Sequence, residues 1–154
     1  MIQAGSHGRR PAEQLAEMDP GLVALIDVGR RYSAVDVGQM MIARAAYWNA
    51  MRQVFERHDL LLTPTTAVPP FELGLVGPTE VNGRPVIHLG WTLAYPFNLT
   101  GQPAATVPCG FTADGLPIGL QIVGPRFGDA LVLRAAAAFE RMRPWAERWP
   151  TCVG

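Results

Sequence analysis

Proline sets the limits of what this chain can fold into. Pro64, Pro69, Pro70, Pro78 and Pro85 crowd one stretch together with Gly74, Gly77 and Gly83, and Pro96, Pro103, Pro108 and Pro117 follow. Each ring removes a backbone donor and clashes with the carbonyl four residues earlier, so no long helix can run through residues 64–117. Long helices must lie on either side, with strands and loops between. The same breaks deny the uncharged window from Pro85 to Ala113 a membrane-spanning role. Arg9 and Arg10 are followed by Pro11-Ala12-Glu13 rather than an apolar block, so no secretory signal is expected.

The first third carries helix signals. Asp19-Pro20 pairs a capping residue with a first-turn proline, and Gly21 to Arg31 reads as a short helix burying Leu22, Leu25, Ile26 and Gly29. Ser33 and Asp36 have capping-box spacing and open a longer helix over residues 34–58. Its apolar rows, Val37-Met41-Ala45-Trp48 and Met40-Ala43-Tyr47-Ala50, leave only a narrow polar stripe. Such a helix needs protein on more than one side. Residues 1–10 are set aside as a disordered or appended N-terminus, and 11–154 are expected to act as one domain portion.

Residues 59–65 read as a short, fully buried strand ended by Pro64. Residues 64–85 read as a long irregular excursion, a loop of the functional or lid type. A short helix or turn is expected near 89–101. Two β-rich runs, 104–110 and 117–124, flank Ala113-Asp114-Gly115, a strong hairpin signal. Gly128-Asp129 caps a last helix over 130–142, whose inner face is expected to hold Leu131, Ala135, Ala138, Phe139 and Met142, and Pro144 and Pro150 end it. The order is that of an α/β protein.

Composition narrows the chemistry. Thirteen basic residues balance thirteen acidic ones, which removes the electrostatic footprint of a nucleic-acid partner. Every cation is arginine; the chain has no lysine, and its only serines are Ser6 and Ser33. Cys109 and Cys152 read as reduced thiols of a cytoplasmic protein. His7, His58 and His88 lack metal-ligand spacing, so neither metal nor cofactor is expected. Cys109, with His88 upstream as a conceivable base, is the one nucleophile chemistry allows, against the simpler reading of a small buried hydrophobe. Asn98-Leu99-Thr100 matches a glycosylation acceptor, but Asn98 reads better as a turn-forming residue. Trp91, Tyr95 and Phe97 could line a ligand pocket or sit in the core.

Three stretches carry a family resemblance. They are Asp59-Leu-Leu-Leu-Thr-Pro-Thr, Tyr95-Pro-Phe-Asn-Leu-Thr-Gly-Gln-Pro-Ala-Ala-Thr-Val-Pro-Cys-Gly, and Asp114-Gly-Leu-Pro-Ile-Gly-Leu-Gln-Ile-Val-Gly-Pro-Arg-Phe-Gly-Asp. Across residues 18–150 the chain resembles the C-terminal third of the amidase signature family. That resemblance implies the C-terminal part of an α/β fold, a mixed β-sheet flanked by helices, and hydrolysis of carboxamides to carboxylate and ammonia by a serine nucleophile, a second serine and a lysine.

None of that triad can be carried onto this sequence, because the stretches that hold it in the family precede the matched region. What the resemblance does carry over is a substrate-pocket wall: Trp91, Thr92, Tyr95, Phe97 and Asn98. Members that take ammonia from glutamine have an aspartate where this chain has Trp91, so a hydrophobic or aromatic amide is favoured. The expected partners are an upstream amidase segment or subunit carrying the triad, a small amide substrate, and further copies of the chain in a homo-oligomer. The alternative is a non-catalytic binding or assembly module derived from an amidase.

Overall fold

A computed structural model describes residues 2–86 and 89–148. The conceivable base His88, the second cysteine Cys152 and the terminating Pro150 lie outside the described residues. The chain divides into two compact units, Met1–Ala46 and Tyr47–Gly154.

The first unit is helical: α1 (Ile2–His7), α2 (Ala12–Ala16), α3 (Pro20–Arg30) and the first half of α4 (Ala34–Phe55). Within residues 1–10, α1 packs against α3, and the Arg10 Nε–H donates to His7 Nδ1 at 3.1 Å. The start of α3 follows its capping signal, with Asp19 Oδ1 accepting from the Leu22 amide at 3.0 Å. Ile26 and Gly29 form its buried edge.

The capping box of α4 is closed from both sides. The Ser33 amide donates to Asp36 Oδ2 at 2.8 Å, the Ser33 hydroxyl donates to the same oxygen at 2.7 Å, and Ser33 Oγ accepts from the Asp36 amide at 3.2 Å. These bonds, the hydroxyl first and the amide second, hold the Asp36 carboxyl below its ordinary value of 3.8. The helix ends at Phe55, three residues before His58, because the Arg57 and His58 amides both turn back to the Val54 carbonyl. In the second half of α4, Tyr47, Trp48, Met51, Val54 and Phe55 are half-buried, and the Arg126 guanidinium lies over the Trp48 ring at 5.1 Å. None of its residues is buried, and Ile42 is 73% exposed.

The second unit is built on a three-stranded sheet of β1 (Leu61–Pro64), β4 (Ala104–Phe111) and β5 (Pro117–Val123), in the order β1-β5-β4. Both strand pairs are antiparallel, so the mixed sheet expected from the resemblance is represented here by antiparallel pairs alone among the described residues. β4 and β5 form the hairpin announced by Asp114-Gly115, with Gly115 at φ +81°, the left-handed position such a turn requires. The Thr112 amide donates to the Leu116 carbonyl at 2.8 Å and closes it. Pro108 and Gly110 bracket a bulge in β4, where an edge strand tolerates the missing donor.

β1 corrects one expectation. It is not fully buried: its residues alternate between half-buried and exposed, and Leu62 is 57% exposed. A three-stranded sheet has two edges, and β1 is one of them. The excursion over 64–85 is also more ordered than expected, because β2 (Glu80–Val81) and β3 (Arg84–Pro85) pair around Asn82 and Gly83 at φ 51° and 74°. That geometry is the two-residue turn that Asn-Gly favours.

One helix, α6 (Asp129–Met142), packs on β4 and β5. Val107, Ile122 and Val132 are the centre of this core, with Ala105, Leu120, Ala135, Ala136 and Phe139 packed around them. The inner face of α6 is therefore rotated from the expected one, with Val132 and Ala136 in place of Leu131 and Ala138, and Met142 exposed. Small side chains let the helix settle close to the sheet. A Cβ on Gly124 would lie 2.7 Å from Val132 Cγ2, so that glycine is part of the same close approach. Gly128 rather than Asp129 occupies the N-cap, and Asp129 stands in the first turn, where its charge suits the helix dipole.

Candidate functional site

The wall residues fall on two short elements joined end to end. The first, residues 91–93, runs antiparallel to residues 65–67 just beyond β1. The Ala67 amide donates to the Trp91 carbonyl at 2.8 Å, the Leu93 amide donates to the Thr65 carbonyl at 3.0 Å, and Thr66 and Thr92 are bridge partners. The second is α5 (Tyr95–Thr100), which holds Tyr95, Phe97 and Asn98. Gly101 ends it at φ +70°, donating its amide to the Phe97 carbonyl at 2.8 Å, a left-handed helix stop that glycine adopts without strain. The sequence Leu-Thr-Gly-Gln-Pro thus encodes a helix end followed by the start of β4.

Within this wall the residues differ in exposure. Phe97 is buried, Trp91 and Thr92 are half-buried, and Tyr95 and Asn98 are exposed. Asn98 lies inside α5, its amide donating to the Ala94 carbonyl at 3.2 Å, and not in the turn the sequence suggested. The Thr92 hydroxyl donates to the Leu89 carbonyl at 2.8 Å. Trp91 meets Phe71 of the proline-rich loop edge to face, with ring centroids 5.1 Å apart. Gly77 of the same loop lies so close to the indole that a Cβ there would overlap Trp91 Nε1. The loop therefore closes over Trp91 from two points.

Beside these elements lies a polar strip on the sheet face turned away from α6. Strand alternation puts Thr63, Thr65, Thr106 and Gln121 on this face. The Thr65 and Thr106 hydroxyls are 2.6 Å apart across Gly119, where a Cβ would fall within 3.0 Å of both. Gln121 is buried and donates to Thr63 Oγ1 and to the Leu93 carbonyl. Sequence reasoning missed this strip. Its only local trace is threonine on alternate positions and one glutamine inside an apolar run.

Cys109 is brought to neither element. It lines an open groove of about 320 Å³ at the hairpin end with Phe111, Trp145 and Arg148, and its thiol donates to the Ile118 carbonyl at 3.4 Å. Arg148 lies over the Phe111 ring at 4.6 Å. The thiol serves the β4–β5 pairing. Among the described residues no group of His, Cys, Asp or Glu side chains could hold a metal ion, and no helix is long and apolar enough to cross a membrane.

Comparison with known proteins identifies the family. The Amidase family model matches residues 22–133, and this chain belongs to that family. An acylamidase of Rhodococcus erythropolis is 40% identical over 139 residues, 89% of this chain and 29% of that protein. A glutamyl-tRNA(Gln) amidotransferase subunit from Geobacillus kaustophilus is 43% identical over 98 residues, 63% of this chain and 19% of its own length. Among solved structures, a bacterial aryl acylamidase of the amidase signature family superimposes with a TM-score of 0.75 at 37% identity, covering 88% of this chain and 29% of that one. The fold is part of the amidase-signature α/β fold, and the chain spans less than a third of the relatives it matches.

Proposed function

We propose that this chain forms the substrate-pocket wall of an amidase that hydrolyses carboxamides to carboxylate and ammonia, and that the catalytic serines and lysine belong to another stretch of polypeptide. The observation that carries the reading is family membership in a chain without a single lysine. Amide hydrolysis needs an activated nucleophile and a group that moves its proton, and arginine stays charged at neutral pH and cannot act as that relay. The two serines belong to α1 and to the α4 capping box, neither of them near the wall in sequence. The site is therefore completed from outside.

The acyl group is apolar in this reading, the leaving group being ammonia. Trp91, Phe71 and Phe97 bring aromatic surface to the wall, and no carboxylate stands among the five wall residues to receive the amino group of glutamine. The acylamidase and aryl acylamidase among the relatives point the same way. Combining the chain with the preceding segment of its enzyme and following ammonia release is the test. Release from a primary aryl carboxamide such as benzamide but not from glutamine is expected, and a well-formed complex that hydrolyses neither overturns the proposal.

The open apolar circumference of α4 supports a second reading, a non-catalytic assembly module. A complex that binds aryl amides without turnover favours this module; turnover favours the amidase.

A further inference from the structure

We propose that Gln121 is a positioning residue of this site, fixing the joint between residues 91–93 and α5 and so aiming the wall at the substrate. The inference rests on the amidase reading for its substrate and on geometry for the rest. Gln121 is only 3% exposed and sits in the central strand β5. A buried amide is costly unless its donors are used. Here both protons of Nε2 are used, one on Thr63 Oγ1 at 2.9 Å and one on the Leu93 carbonyl at 3.1 Å. Thr63 is the register partner of Gln121 across β1, so its hydroxyl holds the amide in the orientation that reaches past β1 to Leu93.

The position of that carbonyl gives the bond its consequence. Residues 91–93 hang on the sheet by two backbone bonds, at Trp91 and Leu93. The next residue, Ala94, is the N-cap of α5 and has no side chain that could cap it. The entry angle of α5 is then set from the sheet side, where the Gln121 amide grips the last carbonyl before the N-cap. Every wall residue lies within five positions of that grip.

The test uses the assembled enzyme, this chain joined by the segment that supplies the triad, labelled with 5-fluorotryptophan. The Trp91 fluorine resonance is assigned through Trp91→Phe. Gln121→Met keeps length and loses both donors. It is expected to shift or broaden the Trp91 resonance while those of the chain's three other tryptophans stay, to raise KM for an aryl amide roughly tenfold, the equivalent of the lost bond to Leu93, and to leave kcat within about twofold.

Thr63→Val is expected to reproduce the pattern in weaker form and Thr63→Ser to restore it; this pair decides if Gln121→Met does not fold. An unmoved Trp91 resonance, a shift of all four tryptophans of the chain, or a resonance change without a rise in KM overturns the proposal. The spectrum is recorded without substrate. An inactive wild-type assembly whose Trp91 still answers to Gln121 therefore refutes the amidase reading and retains the joint.

Discussion

Gly77 shows how narrowly the wall is specified. The space its missing side chain leaves is filled by the Trp91 indole, so Gly77→Ala forces the loop or the ring to move. Overpacking of this kind costs about 1–3 kcal/mol. The expected result is a lower denaturation midpoint and weaker binding of aryl amides, read by denaturant titration and by KM in the assembled enzyme. Cys109→Ala is expected to leave hydrolysis unchanged, since the thiol spends its proton on Ile118; a variant without activity would reinstate a cysteine nucleophile. Trp91, Tyr95 and Phe97 could be read together because they are close in sequence, although the structure gives them different exposures. The partners of Gln121 lie 58 and 28 residues away, and no local pattern encodes a bond across such distances.

The same distinction between local and distant causes explains which elements could be read. The α4 capping box and the Asp114-Gly115 hairpin are decided by residues three or four apart, and both formed as expected. Asn82-Gly83 was equally local, and surrounding prolines masked it as loop. The face of α6 and the exposure of β1 depend on what lies opposite, which periodicity alone does not state.

Two outcomes follow for these elements. Ile122→Ala, at the centre of the core with Val107 and Val132, is expected to cost about 2–5 kcal/mol by denaturant titration. The Asp36 carboxyl is held below its ordinary value, so its contribution to α4 is fully present above 3.8 and is lost as pH falls through the lower folded value. Acid titration of helicity should show that loss, and Asp36→Asn should remove it.

At the scale of the molecule, strand edges and apolar side chains stand open among the described residues. Both outer strands of the sheet have an unpaired side among the described residues, Ile42 and Met41 stand open on α4, and Phe127 is 89% exposed on a backbone at φ 64°. Unpaired edges and apolar faces recruit partners. Sedimentation velocity on the isolated chain is expected to show concentration-dependent association, and the complementing segment should abolish it. A monodisperse monomer at high concentration would contradict this.

The central place of β5 also orders the molecule in time. Residues 120–123 are paired on both flanks, so their amides should be the last to trade hydrogen for deuterium, while alternate amides of β1 and β4 trade early. The glutamine that holds the wall is seated on that slowest-opening strand. The proposed binding surface would thus be referenced to the strand expected to open last, and fraying of the outer strands should leave that anchor in place.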